Sequence, residues 1–266
     1  MGLGQPDSVL RPGRRLNVPD QSCVGLSVYA VTLERAMQRD VLDTIRRDVA
    51  AGKVVILQGA AELKRALELR DLVVAWRSRI EVVEFSVDTN IPDINFHRID
   101  ADPAKSQLPH RFHQHGFGAP DDLGETLKQS LLGIAKPMLA LQNAIADTDY
   151  DLAMPEVRMK VLQYPRGGGF LAKHSHPIRP QGVGLILALS EIGKDFCYGG
   201  TTFGTPMGNV DTSKLQNAGD LILFRYDLEH AVKPIDDDVS LDWGADTGRW
   251  TLVLELITTH GRSEAA

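Results

Sequence analysis

Only two cysteines, Cys23 and Cys197, occur in 266 residues. So few exclude a disulfide framework and fit a reducing compartment, and with no histidine beside either one both read as free thiols. No apolar run approaches the roughly 20 residues that a membrane helix needs. The stretch Met1 to Gln21 lacks the apolar core of a secretory signal and is broken by Pro6, Pro12 and Pro19. A cytoplasmic location with no membrane partner is the expectation. Positive charge is in deficit, with 29 Lys and Arg against 35 Asp and Glu and a net charge of -6. That balance argues against nucleic acid as an obligatory partner, and the short cluster Arg11, Arg14 and Arg15 reads as a solvated tail. No internal repeat and no linker of distinct composition divides the chain.

What is present is an ordinary globular composition, 43% hydrophobic and 24% charged, long enough to bury a full core. Residues 1–25 read as a flexible arm and residues 26–262 as one domain, helical to about 150 with a β core over about 155–258. Helical spacing predicts helices over Val41–Ala51 and Ala61–Arg79, flanking the β-branched run Val54–Leu57. Asp88–Asp121 follows no period and reads as a long irregular stretch, a candidate wall or lid for a site. A helix is predicted over Asp122–Ala146, with Pro137 as a kink or break. After Pro155 short strand-like runs follow one another, separated by Gly, Pro and Asp. They predict a β-sandwich or small barrel with the helices on one face.

Histidine is rare too, with eight in all, yet His174 and His176 stand one residue apart behind the turn Arg166-Gly167-Gly168-Gly169. Side chains at i and i+2 of a regular strand share a face, so this pair can approach one ion together. His230 ends a distant strand-like run and is the candidate third ligand. Imidazole suits iron, zinc, copper or nickel, so the ligands alone do not choose the metal. Arg249 opens the apolar run Trp250–Leu256. Either its head reaches solvent or an acid such as Glu255 or Asp236–Asp238, or its planar fork grips a carboxylate. His110, His113 and His115 form a second set within the irregular stretch, read as pocket lining or surface. Lys173, Arg179 and His113 hint at an anionic or amino-acid-like ligand.

The segment Val161-Leu162-Gln163-Tyr164-Pro165-Arg166-Gly167-Gly168-Gly169-Phe170 before His174 resembles the iron-site entry of the 2-oxoglutarate- and Fe(II)-dependent dioxygenases, in their prolyl-hydroxylase-like branch. Gly199-Gly200-Thr201-Thr202, His230-Ala231-Val232-Lys233-Pro234 and Gly248-Arg249-Trp250 follow in the family's order, so the resemblance covers about Glu156–Leu256. It implies a mainly β protein with flanking helices around a double-stranded β-helix (jelly-roll, cupin-like) core. It also implies His174 and His230 as iron ligands, with Arg249 on the distal carboxylate of 2-oxoglutarate. Tyr164 either reaches that carboxylate or packs in the core. The implied activity is oxidation, by hydroxylation, of a small-molecule substrate with dioxygen.

The family's motif is H-x-D, and here His176 stands where the carboxylate belongs. A neutral imidazole leaves the metal more positive than a carboxylate does. His176 can ligate and give a three-histidine site, or point away and leave a position open. The site can also be inactive or prefer another metal. Strand geometry favours ligation. Asp227, Glu229 and Asp195 are poor substitutes, by face or by location. Two rival readings keep the fold: a three-histidine cupin-like dioxygenase that does not use 2-oxoglutarate, and a non-catalytic ligand-binding or sensor protein.

Overall fold

The computed structural model describes residues 24–84 and 94–256. The expected arm before residue 24, Cys23 within it, and the end of the expected domain beyond 256 lie outside those residues. The chain opens with β1 (Leu26–Ala30), α1 (Leu33–Ala36), α2 (Arg39–Ala50), β2 (Val54–Gln58) and α3 (Leu63–Arg77). Then come β3 (Asn95–Asp100), β4 (His110–Phe117) and α4 (Glu125–Ala146). The β-rich part contains β5 (Val157–Tyr164), β6 (Gly169–His174), β7 (Val183–Ala188), β8 (Gly200–Thr205) and β9 (Gly208–Asp211). It ends with β10 (Leu221–Arg225), β11 (Glu229–Ile235) and β12 (Arg249–Leu256).

The strands run in the order β1-β2-β10-β7-β12-β5-β4-β6-β11-β8-β9, with β3 paired to β4. β4 is the joint of this system. Its His113–Phe117 half pairs with β5, while His110 and Arg111 pair with β6, so one strand belongs to a larger and a smaller sheet. The pairings are antiparallel except β1 with β2.

Each helix buries a stripe on the outer face of the larger sheet. Val41, Ile45 and Val49 of α2 recur every four residues, and Ala66, Leu69 and Val73 do the same work on α3. They and α4 meet Val55, Leu185, Leu187, Leu223, Trp250 and Leu252 from the sheet. Trp250 is fully buried there, and at about 25 cal/mol/Å² its ring contributes roughly 4–6 kcal/mol of transfer free energy. The inner face is a separate layer, where Ile56, Ile186, Ile222 and Phe224 pack on Phe203 and Val210 of the smaller sheet. β7 and β10 are therefore covered on both sides, which is why they read as unbroken apolar runs. α4 continues as one helix through Pro137, so the expected break is absent. No helix of the described residues is long and apolar enough to cross a membrane.

The irregular stretch expected over Asp88–Asp121 is corrected by β3 and β4, which form a hairpin in register from Asn95↔Phe117 to Asp100↔Phe112. Its alternation was hidden because both faces bury polar side chains. Arg98, His110 and Gln114 face inward, while His97, His113 and His115 face outward toward Trp76, Trp243 and Trp250. Residues 85–93, within that stretch, lie outside the described residues.

Candidate metal centre

Between the two sheets lies a cavity of about 240 Å³. The smaller sheet and the turn after it present three imidazoles to this space. β6 ends at His174, and β11 sets His230 directly opposite it in register. His176 lies two residues beyond the strand, so the regular-strand argument for its direction does not apply. The Tyr226 ring holds it instead, stacked at 4.3 Å and 8°. The ligand nitrogens of His174, His176 and His230 all lie within 4.8 Å of one another. An ion about 2.1 Å from each would draw them to roughly 3 Å apart, a small inward movement of side chains already converging.

Tautomers are set by backbone carbonyls, which can only accept. Nδ1–H of His174 donates to Ala172 O and Nδ1–H of His230 to Leu228 O, each at 2.9 Å. Both Nε2 lone pairs are thereby left for a ligand role, the usual support for a metal-binding imidazole. Burial, then the charge of His174, lowers His176 to about 4 and His230 to about 3. Burial lowers His174 as well. All three rings are therefore neutral at pH 7, as coordination requires.

The larger sheet supplies the opposite wall. Tyr164 and Arg249 are cross-strand partners on β5 and β12. The guanidinium lies 5.7 Å from the Tyr164 ring centroid and donates from Nη2 to Thr201 Oγ1 at 2.8 Å and Gln216 Oε1 at 3.1 Å. Arg249 is 4% exposed and has no carboxylate partner among the described residues. The acids considered for it pair elsewhere: Glu255 with Lys160, and Asp236 with Arg166 at 2.6 Å. Burial lowers Arg249 to about 10, which still leaves it charged at pH 7. Burial also raises the Tyr164 hydroxyl, so it stays protonated.

Gly248 fixes the entry of Arg249. Its φ is +119°, and a Cβ there would stand 2.3 Å from the carbonyl oxygen of Tyr164. Gly248→Ala is expected to cost about 2 kcal/mol or more in urea unfolding, because only glycine tolerates that conformation. Unchanged stability would mean the β5–β12 entry adapts freely.

The remaining candidates fall outside the cavity or on its rim. Lys173 is exposed and pairs with Glu229 at 2.8 Å, and Arg179 is exposed. His113 lies on the outer face, so these three do not define the ligand pocket. Asp227 pairs with Arg225 and Asp195 with Arg70. His113 and His115 do find a third imidazole, His97, but the three rings stack with interplanar angles of 3–15°. Parallel rings do not aim their lone pairs at one point. His110 instead faces inward and meets Asp100 at 3.0 Å, and Asp100 pairs with Arg98 at 2.7 Å. Tyr226 and Lys160 carry no sequence signal of a site role, and Glu255 figures there only as an acid for Arg249, although it keeps the same two-residue phase.

No protein-family model and no curated protein matches the sequence. Solved structures do. A full-length protein from Neurospora crassa, in complex with alpha-KG and 5-formyluracil, matches with a TM-score of 0.54 at 11% identity, over 89% of this chain and 86% of that one. The dioxygenase for auxin oxidation 1 from Arabidopsis thaliana, in its 2-oxoglutarate complex, matches at 0.53 and 12% identity, over 86% and 91%. A prolyl-4-hydroxylase from Pseudomonas putida matches at 0.50 and 18% identity, over 80% and 97%. The fold is the double-stranded β-helix of these oxygenases. Within this double-stranded β-helix the three imidazoles stand on the smaller-sheet side and the enclosed guanidinium on the larger sheet.

Proposed function

We propose that the chain is an Fe(II)- and 2-oxoglutarate-dependent dioxygenase acting on a small molecule, with His174, His176 and His230 as metal ligands. Arg249 is the anchor for the distal carboxylate of 2-oxoglutarate. Arg249 carries this reading: an enclosed cation without an acid partner is costly to bury, and a bidentate carboxylate satisfies it. It shares one cavity with three neutral, convergent imidazoles, so both the donor set and the anion pocket fit the two groups.

When bound, iron with 2-oxoglutarate and dioxygen supplies an oxidant strong enough for an unactivated C–H bond. The chain's own contribution is placement. The Ala172 and Leu228 carbonyls orient two imidazoles, and Tyr226 braces the third. Thr201 and Gln216 anchor one arm of the Arg249 fork by accepting from its Nη2. Tyr164, kept protonated, can donate to the same carboxylate. Leu171, Val232 and Val253 line the cavity and keep its walls apolar.

Anaerobic titration of the apoprotein with Fe(II) and 2-oxoglutarate is expected to produce a visible metal-to-ligand charge-transfer band. Tight Fe(II) binding with no band would overturn the reading. Turnover without 2-oxoglutarate would replace it with a three-histidine dioxygenase. Metal-dependent stabilisation with no succinate released in air would replace it with a ligand-binding protein.

A further inference from the structure

With His176 in place of a carboxylate, the three-imidazole set carries no negative charge. The cavity around it is also short of negative charge. Its described lining includes the cations Arg98, Lys160 and Arg249, and Glu255 is its single acid. Arg98 is already paired with Asp100. A divalent ion held by neutral rings beside these cations would be poorly compensated.

We propose that Glu255, acting from outside the ligand set, supplies the negative charge of the metal centre, and that Lys160 attenuates it by pairing with the same carboxylate. This inference rests on the three-histidine metal reading above. Three observations carry it. First, Arg249, Thr251, Val253 and Glu255, every second residue of β12, all line the cavity. The strand that places the guanidinium at one end places a carboxylate six residues along, on the same face. Second, Glu255 shares that cavity with His174, His176 and Tyr226, yet is not one of the residues whose ligand atoms converge. It is near enough to act through charge and not as a fourth ligand. Third, Lys160 bonds the carboxylate from β5. Lys160 stands opposite Val253, one inward position short of Glu255, which brings the ammonium to the carboxylate diagonally. Burial opposes ionisation of Glu255, but the charge and hydrogen bond of Lys160 hold it below the usual carboxylate range.

A half-buried ion pair contributes little stability of its own. Within a cavity it does something else. It places a fixed negative charge near a metal while limiting how strongly that charge acts. Glu255 is thus a positioning residue that sets the charge of the centre, not a group that touches the reacting atoms.

Co(II) titration of the full chain tests this, with affinity measured by competition against a chelator and the d–d spectrum recorded alongside. Glu255→Gln is expected to weaken Co(II) binding about tenfold, the equivalent of about 1.4 kcal/mol. Lys160→Met, which frees the carboxylate, is expected to tighten it several-fold. In a His176→Asp background the ligand itself carries the charge, so adding Glu255→Gln should change affinity by less than about twofold. Far-ultraviolet circular dichroism and apoprotein melting check that each variant folds, and Lys160→Met tests the proposal independently if Glu255→Gln does not. Equal loss from Glu255→Gln in both backgrounds would reveal a packing role and overturn the inference. So would unchanged affinity in both Glu255→Gln and Lys160→Met. A wild-type chain that takes up no Co(II) would instead sink the metal reading, and this inference with it.

Discussion

Arg249→Met is expected to abolish measurable 2-oxoglutarate binding while leaving metal uptake nearly intact. Truncating one member of a buried, hydrogen-bonded charge pair costs about 2–5 kcal/mol, or roughly 30- to 5000-fold in affinity. Here the upper part of that range applies, because the guanidinium is buried. Arg249 is 4% exposed, and the groups left behind, Thr201 Oγ1 and Gln216 Oε1, are neutral. Methionine fills most of the volume, and the imidazoles stand on the other side of the cavity. The measurements are isothermal titration of the Co(II)-loaded protein with 2-oxoglutarate and the charge-transfer band of the Fe(II) form. A variant that keeps affinity within about threefold would show that the carboxylate lies elsewhere, and the functional reading would fall with it. Arg249→Lys separates geometry from charge. A lysine keeps the cation and loses the fork, so partial loss is expected there.

The apoprotein is expected to lose stability steeply below pH 6.5, because of the outer-face histidine stack. Burial, then the neighbouring Arg77 charge, lowers His97 to about 4 and His113 to about 3. Burial and the charge of His97 hold His115 well below its ordinary value. In the unfolded chain all three titrate near pH 6.5. Above that pH both states are neutral and these groups leave stability unchanged. Below it the unfolded chain takes up protons that the folded chain refuses. Stability therefore falls as pH drops, by about 1.4 kcal/mol per pH unit for each histidine and about 4 kcal/mol for the three, down to about pH 4. The metal-site histidines, also lowered, add to the same trend. Urea unfolding at intervals from pH 7 to pH 5 reads the slope. His115→Phe should remove roughly one histidine's share of it. A slope indifferent to that substitution would show that the stack admits protons without unfolding.

The legible and illegible parts of the sequence divide on how many faces carry meaning. α2 has one buried stripe, and its four-residue spacing was plain. β7 and β10 are buried on both faces and still read as strands, because both faces are apolar. β3 and β4 failed because both of their faces bury polar side chains among Phe96, Phe112 and Phe117, one face lining the cavity and the other carrying the stack. No alternation of apolar and polar survives in such a pair. The histidine pair stood out by its rarity and its glycine-rich turn. The support of His176 by Tyr226 did not, because it depends on where the chain goes after β6 ends. Arg249 was noticed as a lone cation in an apolar strand. Glu255 stands in the same phase, but its importance depends on which other acids reach the cavity, and that is a property of the folded arrangement alone.

The dual membership of β4 has a mechanical consequence. Metal grip and anion grip stand on different sheets, and β4 pairs with a strand of each, β5 and β6. A chelating ligand that also reaches Arg249 must bridge the two sheets. The two sheets are also tied side chain to side chain at that end, because Arg249 on β12 donates to Thr201 on β8. Parting the sheets would therefore loosen both grips together, with no ligand residue altered. His113 and His115 sit on the back of the same β4, so one strand carries both part of the cavity wall and two members of its acid-sensitive backing.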